Sequence, residues 1–309
     1  MTEAAAGVSF VITVYNKRRY LPAVIAGLAA QHGDFPREFI FVDDGSTDGS
    51  LEVVERLTDG WRDARIIRQS NSGPSRATNR GVDAARYPLI KLVDSDDVLL
   101  PHAAAMLRDA LLRHPAAVLA WGGMEGYADP AEAVARLQAE PPGSAEATCS
   151  DALSALLRNC DVAPSQSMVR AETMRRLGGC DERVLVQDYS LFLRLATIGP
   201  FIRIAAPVAL APSEPGHLGD SQQQVLHDIN LALFYFLSEH RVPRRLAAAA
   251  VRRGLKRAWR WAHRREQVPL LDRSLFLMLK GYLSFPWIPL ALLQESCAVF
   301  STSRPLRRL

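Results

Sequence analysis

The stretch LVDSDDVLLP, residues 92–101, packs three carboxylates, Asp94, Asp96 and Asp97, into four positions framed by apolar residues. A second acidic group, Asp43 and Asp44, sits in FVDDGSTDGS. Carboxylates this close repel one another, and leaving one buried and unpaired costs several kcal/mol. Each group therefore requires a cation or hydrogen-bond donors. A divalent ion held by one or two carboxylates and by phosphate oxygens meets that need, and Mg2+ or Mn2+ suits such hard oxygen ligands. Either group alone also reads as a solvated acidic turn; two at matching positions after strands favour a ligand site.

The elements that must position these acids alternate regularly. VSFVITVY (8–15) is an almost unbroken apolar, β-branched run, as for a strand buried on both faces of a parallel sheet. RRYLPAVIAGLAAQ follows with Leu21, Val24, Ile25 and Leu28 at helical spacing. REFIFVDDGS (37–46) is a second strand ending in acids, and DGSLEVVERL a second helix with Thr47 or Asp48 as its expected N-cap. ARIIRQS, PLIKLVDSDD, AVLAWGGM and FIRIAAPVALA read as further strands. SRATNRGVDAAR, PHAAAMLRDALLRH, DALSALLRN and QDYSLFLRLAT (187–197) read as helices between them. This alternation predicts an α/β sandwich with a mainly parallel sheet, in which ligands bind beyond the carboxyl ends of the strands. The expected division is a domain over 1–220 and a helical, basic and aromatic region over 221–309. No internal repeat is visible.

Several segments together resemble the family 2 glycosyltransferases of GT-A fold. FVITVYNKRRYL, FIFVDDGSTDGS, NSGPSRATNRGVDAA, VDSDDVLLP and GGCDERVLVQDYSLFLRL occur in that family's order and rough spacing, over about residues 7–220. The resemblance implies an inverting transfer of a sugar from a nucleotide-sugar, with UDP the family's commonest nucleotide. It implies that Thr13 and Tyr15 line the base, and that Asp43 or Asp44 bonds base or ribose, Asp44 being preferred. Arg76 would lie near the nucleotide, Asp94 near ribose or metal, and Asp96 would be the main ligand of Mn2+ or Mg2+. Asp188 would be the base that deprotonates the acceptor hydroxyl of a glycan or lipid-linked sugar in cell-surface polysaccharide synthesis. His217 is a further candidate metal ligand or a solvated loop residue. A metal-bound diphosphate would then offset the repulsion among the aspartates.

Two departures qualify the match. Gln187-Asp188 stands where the family commonly has Glu-Asp, and Ala77-Thr78-Asn79 where it has Ala-Arg-Asn. The absence of QxxRW argues against a processive polysaccharide synthase. A non-catalytic scaffold of the same fold, binding nucleotide-sugar or membrane, is the first rival reading. Sugar nucleotidyltransferases are the second, but they usually carry a Gly-rich loop after the first strand, where this chain has VYNKRRYL.

The rest of the composition bounds the partners. With 309 residues, 48% hydrophobic and 23% charged, the chain is long enough for one sizeable core and a smaller appended region. Four scattered cysteines without CxxC spacing, and no apolar leader at the start, predict reduced thiols in a cytoplasmic protein. Net charge is +4, yet every charged residue from Arg241 to Arg265 is basic. On a helical wheel 244–265 separates Arg252, Arg253, Lys256, Arg257, Arg260 and Arg264 from Val251, Leu255, Ala258, Trp261 and Ala262. Such a helix is expected either to lie on an anionic membrane at the inner face of the cell or to pack on the catalytic domain. No feature besides the basic helix points to nucleic acid. His32, His102 and His114 read as surface residues.

Overall fold

A computed structural model describes residues 6–138, 147–158, 162–213, 222–265, 271–284 and 287–301. In chain order the first part runs β1 (Val8–Val14), α1 (Leu21–Ala29), β2 (Arg37–Asp43), α2 (Ser50–Leu57), β3 (Ala64–Arg68), α3 (Pro74–Ala84), β4 (Leu89–Asp94), β5 (Val98–Leu99) and α4 (Ala103–Arg113). Then follow β6 (Leu119–Tyr127), α5 (Pro130–Ala135), β7 (Ala147–Ser150), α6 (Ala152–Arg158), β8 (Ser167–Arg170), α7 (Ala171–Arg176), α8 (Gln187–Leu195) and β9 (Phe201–Pro212). Among the described residues four further α-helices follow: α9 (Gln222–Glu239), α10 (Arg244–Arg265), α11 (Arg273–Leu283) and α12 (Ala291–Cys297).

The strands form one sheet in the order β3-β2-β1-β4-β8-β6-β9-β5, with β7 paired to β9. The expected α/β architecture is present, and its parallel part is the run β3-β2-β1-β4. Beyond β4 the sheet is mixed: β8 is antiparallel to both β4 and β6, whereas β6 and β9 are parallel. The short antiparallel β8 comes from SMVR, whose four residues carry too little pattern to declare a strand.

β1 shows why the apolar runs become central strands. Val8, Phe10 and Ile12 are fully buried, as are Ile40 and Phe41 of β2, so both faces of the parallel run are covered. α3 sits close to that run because Gly81 has no side chain: a Cβ there would lie 2.3 Å from Val11 Cγ1. α2 begins differently from expectation. Its N-cap is Gly49 at φ +86°, and the Asp48 carboxylate accepts the Ser50 N–H at 3.0 Å from outside the helix. His102 also departs from its surface reading; it is buried, with Nε2 2.9 Å from the Pro207 carbonyl.

The chain divides into two compact units. The first comprises Met1–Ala152, Val162–Cys180 and Leu195–Glu214, and holds the whole sheet. The second comprises Leu153–Asp161, Asp181–Arg194 and Pro215–Leu309. In the second unit α10 packs against α9, α11 and α12 through Ala248, Val251, Leu255, Ala258 and Ala262, all buried. Gly254 admits Leu293 to this contact, since a Cβ would stand 2.4 Å from its Cδ1.

Candidate active site

The carboxyl ends of β1, β2 and β4 bring the first unit's predicted residues together. In register, Val14 of β1 pairs with Asp43 of β2, and Thr13 with Asp94 of β4. The two acidic groups thus flank the end of β1, two strand spacings or about 10 Å apart. Thr13 is half-buried, and Tyr15 just beyond it is 37% exposed. The loops after β1 and β2 brace each other. Asn16, at φ +52°, accepts the Thr47 N–H on Oδ1 at 2.8 Å, and the Lys17 N–H donates to Ser50 Oγ at 2.8 Å.

Asp43 and Asp44 are both buried, yet only one is satisfied by the chain. The Asp44 carboxylate accepts from Gln69 Nε2 at 2.8 Å, Ser72 N at 2.8 Å and Gly73 N at 2.9 Å. It is a clamp on the loop that opens α3. Asp43 Oδ2 accepts the Ser46 N–H at 3.3 Å, while its Oδ1 is buried with no partner. Among the described residues, the carboxylate oxygen without a donor belongs to Asp43, whereas the preferred Asp44 is engaged by the loop before α3. Arg76 is exposed on the first turn of α3.

The β4 turn separates its three acids by environment. Asp94 and Asp96 are half-buried, whereas Asp97 is buried. Burial, reinforced by Asp94 and Asp96, raises the Asp97 carboxyl well above its ordinary range. The Asp94 N–H donates to Ser165 Oγ at 2.9 Å, and Tyr127 Oη–H donates to the Asp96 carbonyl at 2.7 Å. Lys17 Nζ forms an ion pair with the Asp96 carboxylate. Beneath the turn lies Lys91, fully buried, donating from Nζ to Ser165 O at 2.6 Å and Leu92 O at 3.0 Å. Burial lowers its ammonium to about 7, against the opposing pull of Asp97 and Asp94. Lys17 and Lys91 therefore offset part of the repulsion from within the chain.

No group of three or more His, Cys, Asp or Glu side chains able to hold a metal occurs among the described residues. Asp94 and Asp96 provide two half-buried carboxylates on one turn, which fits a Mg2+ or Mn2+ ion that draws its remaining ligands from substrate phosphates and water. His217 lies outside the described residues.

Asp188 belongs to the second unit, at the start of α8. Its Oδ1 accepts the Tyr189 N–H at 2.7 Å. Burial raises its carboxyl above the ordinary range, the Tyr189 N–H opposes this, and Asp228 adds to it. Asp228, on α9 and 2% exposed, accepts the Leu185 and Val186 N–H groups on Oδ2 at 3.0 and 2.9 Å. Its Oδ1 lies 2.7 Å from His227 Nδ1 and accepts from Gln224 Nε2 at 3.1 Å. Arg183 adds a second tie from the same loop, to Glu239 of α9 at 2.5 Å. The neighbouring Gln187 is buried with Oε1 unpartnered. Asn79 of the departing Ala-Thr-Asn segment grips Cys180 through both its N–H and C=O, at 2.6 and 3.1 Å, while Thr78 is buried.

The sequence reading passed over Lys17, Lys91, Ser165 and Asp228. Lys91 carried a signal, being the only charged residue inside the apolar run PLIKLV. Asp228 carried a weaker one, as an acid inside the apolar stretch of α9.

The model for "Glycosyl transferase family 2" matches residues 9–194, well over half of the chain. The chain belongs to that family. An uncharacterized glycosyltransferase of Nostoc sp., alr2836, is 40% identical over 97 residues, covering 31% of this chain and 30% of that protein. The O-antigen biosynthesis protein RfbC of Myxococcus xanthus is 29% identical over 194 residues, covering 61% of this chain and 14% of its own. The chain thus spans less than a third of the length of these relatives. Among solved structures, Staphylococcus aureus TarS 1–349 in complex with UDP superposes with a TM-score of 0.61 at 16% identity, over 95% of this chain and 88% of that one. The mannosyltransferase PcManGT of Pyrobaculum calidifontis, in complex with GDP-Man and Mn2+, gives 0.55 at 16%, over 95% and 85%. At these identities the likeness is one of fold, and it supports the GT-A assignment.

Proposed function

We propose that this chain transfers a sugar from a nucleotide-sugar to a hydroxyl of a glycan or lipid-linked acceptor, with inversion and with a divalent metal. The observation that carries the reading is the buried, unpartnered Asp43 Oδ1 at the same sheet edge as the half-buried Asp94 and Asp96. A buried acceptor without a donor costs about 1–3 kcal/mol, and more when charged. A base N–H or ribose hydroxyl arriving at Asp43 removes that cost.

In this reading Thr13 and Tyr15 flank the base, Asp44 holds the α3 loop in shape, and Arg76 meets the nucleotide from the start of α3. Asp94 and Asp96 hold Mn2+ or Mg2+ against the diphosphate. The metal, when bound, supplies Lewis-acid stabilisation to the departing diphosphate. Lys17, paired with Asp96 here, would carry its charge toward the phosphates if a metal took that carboxylate. Asp188 receives the acceptor proton, and its raised carboxyl makes it a better base near neutral pH than an ordinary aspartate. UDP is the first donor nucleotide to test, since the TarS fold relative binds it; GDP follows from PcManGT. The name of RfbC supports an acceptor in surface-polysaccharide assembly. The buried thiol of Cys297 accords with work on the cytoplasmic side.

Calorimetric titration with UDP, GDP, CDP and dTDP, each with and without Mn2+, tests the site in the natural chain and in Asp96→Ala and Asp43→Asn. One nucleotide should bind tightly only with metal, lose that dependence in Asp96→Ala, and weaken about tenfold or more in Asp43→Asn. Absence of metal-dependent binding for all four would leave the scaffold reading in its place.

A further inference from the structure

The second unit carries an apolar surface that its own packing leaves uncovered. α11 buries Ser274, Leu277 and Gly281 at helical spacing, and Gly281 lets the helix approach so closely that a Cβ would stand 2.3 Å from Leu255 Cδ1 of α10. The opposite stripe holds Phe276, Leu279 and Leu283 at i, i+3 and i+7, and these are large apolar side chains as well. Phe276 is 62% and Leu283 86% exposed; Trp287, beyond the helix, is 66% exposed. Single exposed apolar residues need no explanation, but a row of them on one helix marks an interaction surface.

The surroundings of this row are cationic. Lys280 lies exposed on α11 beside Phe276 and Leu283. The Arg244 guanidinium stacks 4.0 Å from the Trp287 ring centroid, and that of Arg252 lies 5.2 Å from Tyr282. Between Arg241 and Trp287 the chain has 12 Lys and Arg against two acids, Glu266 and Asp272. Asp272 is engaged as the α11 N-cap, accepting the Leu275 N–H at 3.0 Å.

We infer that this face, Phe276, Leu279, Leu283 and Trp287 with Arg244, Arg252 and Lys280, docks on an anionic membrane surface. The apolar row would enter the headgroup boundary with α11 in the membrane plane, and the cations would meet lipid phosphates. Charge selects this occupant over a second copy of the chain, because a twofold contact would set the same cations against themselves. The surface differs from the one expected for α10, whose apolar side is consumed by α9, α11 and α12. No helix among the described residues is long and apolar enough to cross a membrane, so the contact is peripheral. It does not depend on the transfer chemistry.

Flotation of the full chain with vesicles tests the inference, using pure phosphatidylcholine and an equimolar mixture with phosphatidylglycerol. The protein should rise with the anionic vesicles only. Binding should fall about tenfold or more in Phe276→Ser/Leu283→Ser and in Arg244→Glu/Lys280→Glu. All four positions are solvent-exposed, and thermal unfolding confirms that the variants fold. No binding to anionic vesicles overturns the inference, as does undiminished binding by the Ser pair. A natural chain that is dimeric by light scattering, and monomeric in the Ser pair, also overturns it and assigns the face to self-association.

Discussion

Two carboxylate groups in this molecule are stabilised by different means. On the β4 turn, Asp96 pairs with the ammonium of Lys17, and the charge of the buried Lys91 acts on Asp97. Near α8, Asp228 is held by the Leu185 and Val186 backbone N–H groups together with His227 and Gln224 of its own helix. A side-chain cation at a half-buried site can be exchanged for another cation at little structural cost. Backbone donors cannot leave without unfolding the loop. The first arrangement suits a site that admits and releases a metal–diphosphate; the second suits a fixed frame around one residue, Asp188.

The largest expected effect separates the two by function. Asp188→Asn should reduce turnover by about 10²- to 10⁴-fold, the usual range for loss of a general base, while leaving nucleotide affinity intact. Single-turnover kinetics beside calorimetry would show the split. Unreduced turnover would remove Asp188 from the mechanism and confine the chemistry to the first unit.

Lys91 tests the cation-held side. Replacing it by Met leaves the Ser165 and Leu92 carbonyls without their donor and Asp97 without its counter-charge, at an expected cost of about 3 kcal/mol or more. The natural chain carries a pH signature of this group. Its folded value, about 7, lies below the ordinary 10.5, so between these pH values the unfolded chain holds the extra proton and stability rises with pH. Below about pH 7 both states are protonated and this contribution is flat. Urea unfolding at pH 7 and 9 should find that rise in the natural chain and a smaller one in Lys91→Met.

How much of this was readable beforehand follows the same contrast. The acids of the sheet edge were legible because their position is set by the strands, and β1, β2 and β4 declare themselves as apolar runs. Which acid keeps an unpartnered oxygen was not legible. Asp43 and Asp44 are adjacent in sequence, and only the return of the Gln69–Gly73 loop onto Asp44 distinguishes them. The frame around Asp188 was less visible still. Asp181–Arg194 is flanked by first-unit segments, yet it packs in the second unit through Asp228 and Glu239, some 40 to 60 residues away. No local periodicity encodes such a tie. The α10 wheel separated Val251, Leu255, Ala258 and Ala262, which pack inward. It set Arg257 on the charged side, yet that guanidinium donates to Asn230 Oδ1 of α9 at 2.6 Å. Nor does an amphipathic pattern say whether its apolar side meets lipid or a neighbouring helix.

Asp228 offers the finest test, because it both braces the loop and acts on Asp188 through its charge. As the proposed base, Asp188 would have to be ionised to accept a proton, so activity should be present above its carboxyl value and lost as pH falls through it. That value is raised first by burial and then by the Asp228 charge. Asp228→Asn removes the charge but keeps most of the shape, so Asp188 should ionise more readily and the acidic limb of kcat should move to lower pH. The same change weakens the hold on Leu185 and Val186, with an expected stability loss of about 1–3 kcal/mol. A lowered kcat with an unmoved limb would reduce Asp228 to a brace. A limb that moves down while stability barely changes would make charge its principal contribution, and would show that a carboxylate fixed by backbone donors can still tune its neighbour.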